Sequence, residues 1–300
     1  MIDTKIMRRR SNIVGWLLAI PTVMGILMFI VYPIVYSTIL SFTNYRFINK
    51  NVIFVGFENY VWLFRGGEGA APFWRGLMLS AIYTFVQSIF QTVLGFFLAY
   101  MLYSMGRRVQ AVYKVLIYLP VILPMAVVTV MFKFFLEPQG VVNIVLERVF
   151  DVKDPPLWLN TNGLTMFVVI LINTWRFTGI TTIIYFVAMN NVDVSILESA
   201  RLDGAGKGRI LSQMLLPLTW ASTKINLILS LVGGLKSYDF FLVLTDGMGD
   251  TQVVGLYIYR TAFEYRTYAR AVTMSLVLTA IIGIMAFAVN FFAKRGEKTE

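Results

Sequence analysis

Residues 198–218 read ESARLDGAGKGRILSQMLLPL, a stretch with three basic and two acidic side chains in a chain otherwise poor in charge. What it means depends on its surroundings. Over all 300 residues, 58% are hydrophobic and 14% are charged, and mean hydropathy is +0.71. An ordinary soluble domain carries about 25% charged residues, so this composition belongs in a bilayer. Around the stretch lie six segments that each supply the roughly 20 mainly apolar residues a spanning helix needs. They are residues 13–42, 77–103, 112–136, 164–189, 220–244 and 271–292. The expected fold is therefore an all-α membrane protein of six spans, with 198–218 in the loop between the fourth and fifth.

The first span follows Lys5 and Arg8, Arg9 and Arg10. Its apolar run is too long for a signal-peptide core and no small-residue cleavage site follows, so it reads as an uncleaved anchor. Pro21 and Pro33 lie inside it, and because neighbouring helices can satisfy the carbonyls a proline frees, they predict a bent span.

Six spans put both termini on one side, and the Lys/Arg bias chooses that side. Placing the N-terminus, residues 104–111 with Lys114, residues 190–219 and the C-terminus inward gives thirteen Lys/Arg against six acids. The outer segments, 43–76, 137–163 and 245–270, hold nine of each. The net charge of +10 is thus mainly a positive-inside signature, and it requires no nucleic acid. Domain organisation follows: an inward N-terminus over 1–12, one six-span domain over 13–293 with a long loop at 190–219, and an inward tail over 294–300.

Histidine and cysteine are both absent. Thiol and imidazole catalysis, disulfides and Cys/His metal sites are excluded together, and no catalytic or metal-ligating set emerges. The glycines of 204–209 do not make a phosphate loop. Position 201 is Arg where a P-loop needs Gly, 208 is Gly where it needs Ser or Thr, and 209 is Arg where G-x-G-x-x-G would close.

Within the loop, Ser195 and Glu198 have capping-box spacing and predict a helix start at Ser195. Asp203-Gly204 then supplies a turn with Gly204 left-handed. A second amphipathic stretch puts Ile210, Leu211, Met214 and Leu215 on one face, and Pro217 pre-sets the next span.

This loop resembles the E-A-A-x3-G-x9-I-x-L-P loop of binding-protein-dependent ABC importer permeases. Glu198, Ser199, Ala200, Gly204, Met214, Leu216 and Pro217 fall at the family spacing, with Ser199 in place of the second Ala and Met214 in place of Ile. Leu202-Asp203-Gly204-Ala205 and the run Phe54-Val55-Gly56-Phe57-Glu58-Asn59-Tyr60 are similar to stretches of the carbohydrate-uptake branch. Thr245-Asp246-Gly247-Met248-Gly249 departs from that branch's Thr-Gly-Gly-Gly-Pro.

The resemblance implies the six-span type I importer permease fold, in a bacterial or archaeal cytoplasmic membrane. It implies a coupling role for Glu198, Ser199, Ala200, Asp203, Gly204, Leu216 and Pro217 against a separate ATPase dimer. ATP and Mg would be used by that partner, and this chain would need no cofactor of its own. A second related permease, an extracytoplasmic solute-binding protein and a carbohydrate cargo complete the implied assembly. The alternative is a secondary transporter or channel without an ATPase, which calls for ion-coupling carboxylates within the spans. Asp239 alone is available.

An ionisable group at the bilayer midplane costs about 2.5–3.5 kcal/mol on insertion scales. Arg176 is central in the fourth span, beside Asn173 and a series of threonines, and reads as facing the transport path. Ser230, Gly234 and Ser237 in the fifth span align with the stretch that contacts sugar in relatives. Small residues also let spanning helices approach closely, so lining and packing both stay open for them. In the second span Ser80, Thr84, Gln87, Ser88 and Gln91 form a polar stripe that serves equally as interhelical glue. Lys236 and Asp239, three residues apart, predict an intrahelical ion pair. Which carbohydrate is carried, neutral or acidic, is not legible.

Overall fold

The computed structural model describes residue 16 and residues 18–46, 52–66 and 69–296, with side chains through residue 291. In chain order the helices are α1 (Leu18–Ser41), α2 (Glu58–Phe64), α3 (Ala71–Tyr103), α4 (Arg107–Ile122), α5 (Met125–Leu136) and α6 (Val141–Phe150). There follow α7 (Leu164–Asn190), α8 (Val194–Leu202), α9 (Lys207–Leu218), α10 (Trp220–Lys236) and α11 (Asp239–Leu244). The last two are α12 (Val254–Phe263) and α13 (Tyr268–Gly296). Among the described residues the β structure amounts to one isolated bridge, Thr43 to Phe54. Five stretches are long and apolar enough to cross a membrane: Leu18–Ser41, Ala71–Tyr103, Met125–Phe150, Leu164–Asn190 and Tyr268–Phe291. A sixth arises if α9 and α10, bent by 68°, count as one.

The chain divides into two compact units, residues 1–70 with 260–277, and residues 71–259 with 278–300. In the first, the end of α1 is fixed by the segment that resembles the carbohydrate branch. Asn59 donates through Nδ2 to the carbonyls of Ser41 and Thr43, both at 2.8 Å. Phe42 packs edge-on to Phe57, 5.2 Å between centroids, and Ser41 Oγ shares a hydrogen bond with the Tyr60 hydroxyl. The buried carbonyls of a helix end need partners, and the Asn59 amide supplies them.

Pro33 and Pro217 are accommodated in the same way. A proline lacks an N–H and its ring crowds the carbonyl four residues back. A π-turn over Leu27–Val31 ends two residues before Pro33, with the Tyr32 N–H donating to Leu27 O. Another over Leu211–Leu215 ends two residues before Pro217, with the Leu216 N–H donating to Leu211 O. Widening the helix by one residue re-satisfies the ladder where the proline would break it. Residues 1–12 and 297–300, assigned to inward tails, lie outside the described residues, as do 13–15 and 17 at the start of the first span.

In the second unit α3 and α7 pack along each other through small residues. A Cβ on Gly95 would lie 2.5 Å from Thr181 Cγ2, and one on Gly179 would lie 2.5 Å from the Ile117 carbonyl of α4. Tyr83, Val128, Val169, Phe240 and Phe241 form one core cluster. Phe96, Ala99, Leu102, Tyr185, Phe186 and Met189 form another at the far ends of α3 and α7. Backbone cannot yield as a side-chain tip can, so Gly179→Ala is expected to push α4 away from α7. Thermal unfolding of the detergent-solubilised protein should register a loss of about 1–3 kcal/mol, the usual cost of overpacking. An unchanged melting curve would mean that α4 does not pack on α7 as closely as described.

Two expected spans prove to be broken. The third, 112–136, is interrupted at Leu123 and Pro124: α4 ends at Ile122 with Pro120 inside it, and α5 starts at Met125. Proline at 124 disfavours helical backbone at Leu123, which is extended at ψ 134°. The fifth, 220–244, stops at Lys236, and Ser237 and Tyr238 leave the helix before α11 begins at Asp239. Consequently the expected Lys236–Asp239 ion pair is absent among the described residues. Lys236 sits in the last turn of one helix and Asp239 in the first turn of the next, each at the end its charge favours.

The divergent outer turn is closed tightly. Asp246, Gly247, Gly249 and Asp250 all have positive φ, and the Thr245 and Thr251 hydroxyls are hydrogen-bonded at 2.7 Å. A side chain on Gly249 would collide with Thr165 of α7.

Candidate functional site

The charged loop between the fourth and fifth apolar segments is a helix, a turn and a helix with two unlike faces. α8 is capped by Asp193, whose carboxylate accepts the Ser195 N–H at 2.9 Å. That hydrogen bond holds the Asp193 carboxyl below the usual carboxylate range. The capping box expected of Ser195 and Glu198 is therefore not formed. The helix starts two residues earlier because Asp193 offers an equally good oxygen at a position that lengthens it. Glu198 is thereby left exposed and outside the cap.

At the other end the chain reverses through Gly204 at φ 80°. Ala205 N–H donates to Ala200 O and Gly204 N–H to Arg201 O, the paired bonds of a Schellman motif. The expected left-handed glycine is in place.

Leu197, Ala200, Ile210 and Leu215 are buried, and Leu197, Ile210 and Leu215 join the core cluster at the ends of α3 and α7. The opposite face presents Glu198, Ser199, Arg201, Asp203 and Gly204 to the exterior, with Leu202 89% exposed. Leu216 is exposed, and Pro217 is part-buried at the π-turn. α9 then bends by 68° into α10 at Thr219, whose hydroxyl donates to the Leu215 carbonyl at 2.7 Å.

α10 leads from this loop to a cavity of about 360 Å³. Its wall takes Gln87 and Gln91 from α3, Thr181 from α7, and Asn226, Ser230 and Gly234 from α10. Ser237, Lys236 and Asp239 line it at the break between α10 and α11, and Met125 lines it at the start of α5. Gln91 donates to Thr181 Oγ1 at 2.8 Å. Three other polar atoms have no protein partner: Gln87 Oε1, Asn226 Nδ2 and Ser230 Oγ. Gln87 is 6% exposed and Asn226 2%, and an unpaired buried polar atom costs about 1–3 kcal/mol. An acceptor, a donor and a hydroxyl around one cavity suit water or the hydroxyl groups of a ligand.

Of the path residues read from sequence, Ser230, Gly234 and Ser237 line this cavity. Gly234 also packs against Thr84, so lining and packing coincide there. Asn173 and Arg176 are not among the lining residues. Asn173 is buried with its amide on the Val169 carbonyl of its own helix. Arg176, 9% exposed, donates to Leu123 O and reaches Met125 Sδ, each at 3.2 Å, and its guanidinium lies 4.9 Å from the Phe177 ring centroid. It grips the broken third span from behind the wall. Asn226 carries no signal in the sequence beyond its polarity, and Gln87 and Gln91 were not separable from helix-helix glue.

Residues 91–298 match the family described as binding-protein-dependent transport system inner membrane component. The chain belongs to that family. Over 97% of both chains it is 28% identical to the lactose transport system permease protein of Rhizobium radiobacter. It is 27% identical to the glucose import system permease protein of Saccharolobus solfataricus, over 87% of this chain and 91% of the relative. Among solved structures, it superposes with a TM-score of 0.83 on a chain of a bacterial ABC transporter involved in the import of the acidic polysaccharide alginate. That match covers 98% of this chain and 99% of the other at 20% identity, and it establishes the fold alone. This inner-membrane component thus has the importer permease fold, and its match to the family takes in the loop, α10 and most of the cavity wall.

Proposed function

We infer that this permease forms half of the translocation path of an ATP-driven carbohydrate importer and couples to a separate ATPase dimer through residues 193–217. A second permease, a solute-binding protein and the ATPase dimer supply the rest of the assembly. ATP and Mg act in that partner, and this chain performs no chemistry itself. One observation supports the reading above the others: the loop's buried face is locked to the ends of α3 and α7, and its continuation, α10, lines the cavity. Force applied at the exposed face around Glu198 and Leu202 therefore reaches the cavity wall through packed helices rather than through flexible chain.

The names of the relatives favour a saccharide cargo, and the unpaired amide and hydroxyl groups of the cavity suit it. Co-purification with an ATPase, followed by ATP-dependent saccharide uptake in vesicles, tests the assignment. Uptake driven by an ion gradient without ATP would replace it with a secondary transporter.

Orientation is tested separately. With both termini and residues 190–219 inward, single cysteines at Asn160 and Asp250 are expected to react with an impermeant thiol reagent from outside, and one at Ser104 is not. The natural chain has no cysteine to interfere. Labelling of Ser104→Cys from outside, with Asn160→Cys silent, would invert the topology.

A further inference from the structure

A second pocket, of about 300 Å³, lies at the far end of two helices that begin at the central cavity. α5 starts with Met125 at the central cavity, and Lys133, Leu136 and Glu137 at its other end line the second pocket. α11 starts with Asp239 at the cavity, and Leu244 at its end lines the second pocket. At 1.5 Å per residue, the six-residue α11 spans about 9 Å, so one short helix separates the two spaces.

The pocket's wall is specific in its chemistry. Trp158 donates its indole N–H to Asn143 Oδ1 at 2.7 Å, and Asn143, buried, donates in turn to the Pro138 carbonyl at 3.1 Å. The indole's one polar group is thus satisfied and its orientation is fixed, with part of its carbon surface packed on the core cluster and part lining the pocket. Lys133 and Glu137 stand one turn apart on the same wall, and among the described residues neither takes part in an ion pair. Asn160 adds an amide.

We propose that this pocket is an outer saccharide subsite, in which a sugar ring rests on Trp158 and its hydroxyls bond Lys133, Glu137 and Asn160 on the way to the central cavity. The inference rests on the carbohydrate reading above. A hydroxyl both donates and accepts, so one polyhydroxylated ring can answer an ammonium, a carboxylate and an amide at once. An acyl chain would cover the same indole while leaving the charges of Lys133 and Glu137 desolvated and unpaired, at a cost of several kcal/mol. A pocket of this volume is at the small end of ligand sites, the size of a ring rather than a long oligosaccharide.

The test uses the assembled importer in vesicles without its solute-binding protein. A single cysteine at Leu157, a half-exposed lining residue, is labelled with an impermeant maleimide in the presence of lactose, glucose or glucuronate. At about ten times its Kd, at least one of these probes is expected to slow labelling roughly tenfold. A cysteine at Glu147, outside the pocket, should keep its rate. Trp158→Ala and Glu137→Gln should each abolish the protection, and the second removes only a charge from a side chain with no protein partner, so it leaves the fold intact. Three outcomes overturn the proposal: no protection by any probe, protection that survives Glu137→Gln, or no labelling of Leu157→Cys at all because another subunit covers the site. With the solute-binding protein added back, ATP-dependent saccharide uptake without protection overturns the subsite alone. Absence of uptake for every saccharide in that complete system overturns the carbohydrate reading beneath it.

Discussion

Glu198→Gln is expected to keep normal membrane levels while cutting ATP-dependent uptake and ATPase retention by about tenfold or more, a difference of ~1.4 kcal/mol. The charge has no folding role to confound the result. Asp193, not Ser195, caps α8, and Glu198 projects from the exposed face beside Leu202. An exposed carboxylate without an intramolecular duty costs little to neutralise, so a large effect must come from what docks there. Gly204→Val acts on the same contact by another route. At φ 80° the residue is left-handed, where a β-branched side chain costs about 1 kcal/mol or more, and the Schellman bonds that set the angle between α8 and α9 would be distorted. There is open space around Gly204, so the strain is conformational and local, and the spans should still assemble. Hydrolysis should continue in both variants while uptake fails. Full uptake and unchanged ATPase retention in both would reduce residues 193–217 to a surface loop.

The second large effect is expected at Arg176. Replacing it by methionine removes the donor on the Leu123 carbonyl at the break between α4 and α5. A fully buried carbonyl left without a partner costs about 1–3 kcal/mol, and this one is part-buried, so the melting temperature should fall, with a loss of stability at the lower end of that range. Met125, the first residue beyond the break, lines the cavity, and uptake should fall with it. Arg176→Lys retains one donor and should recover part of both losses. This differs from a cargo contact, for which the melting temperature would hold while KM rose. That pattern would place Arg176 in the path, as its position in the sequence first suggests.

The contrast between Glu198 and Arg176 shows what was legible. Glu198 is polar in a polar loop, and its exposure follows from local pattern alone. Arg176 is one charge in an apolar span, and the sequence marks it as expensive without saying what satisfies it. The same holds for Gln87 and Asn226, which line the cavity, and for Asn173, which does not. All three are amides in apolar helices.

By itself the sequence determined the membrane class, the positions of the apolar segments, the two-helix loop and its turn at Gly204. Hydropathy over about 20 residues and the backbone freedom of glycine are properties of short stretches of chain. Tertiary structure decided where α4 and α5 part, where α10 stops short of α11, and which small and polar residues face the cavity. In a bilayer both the lipid-facing and the protein-facing sides of a helix are apolar. The polar-apolar contrast that reveals a buried face in a soluble helix is therefore missing, and only the packing of neighbouring helices distinguishes the two.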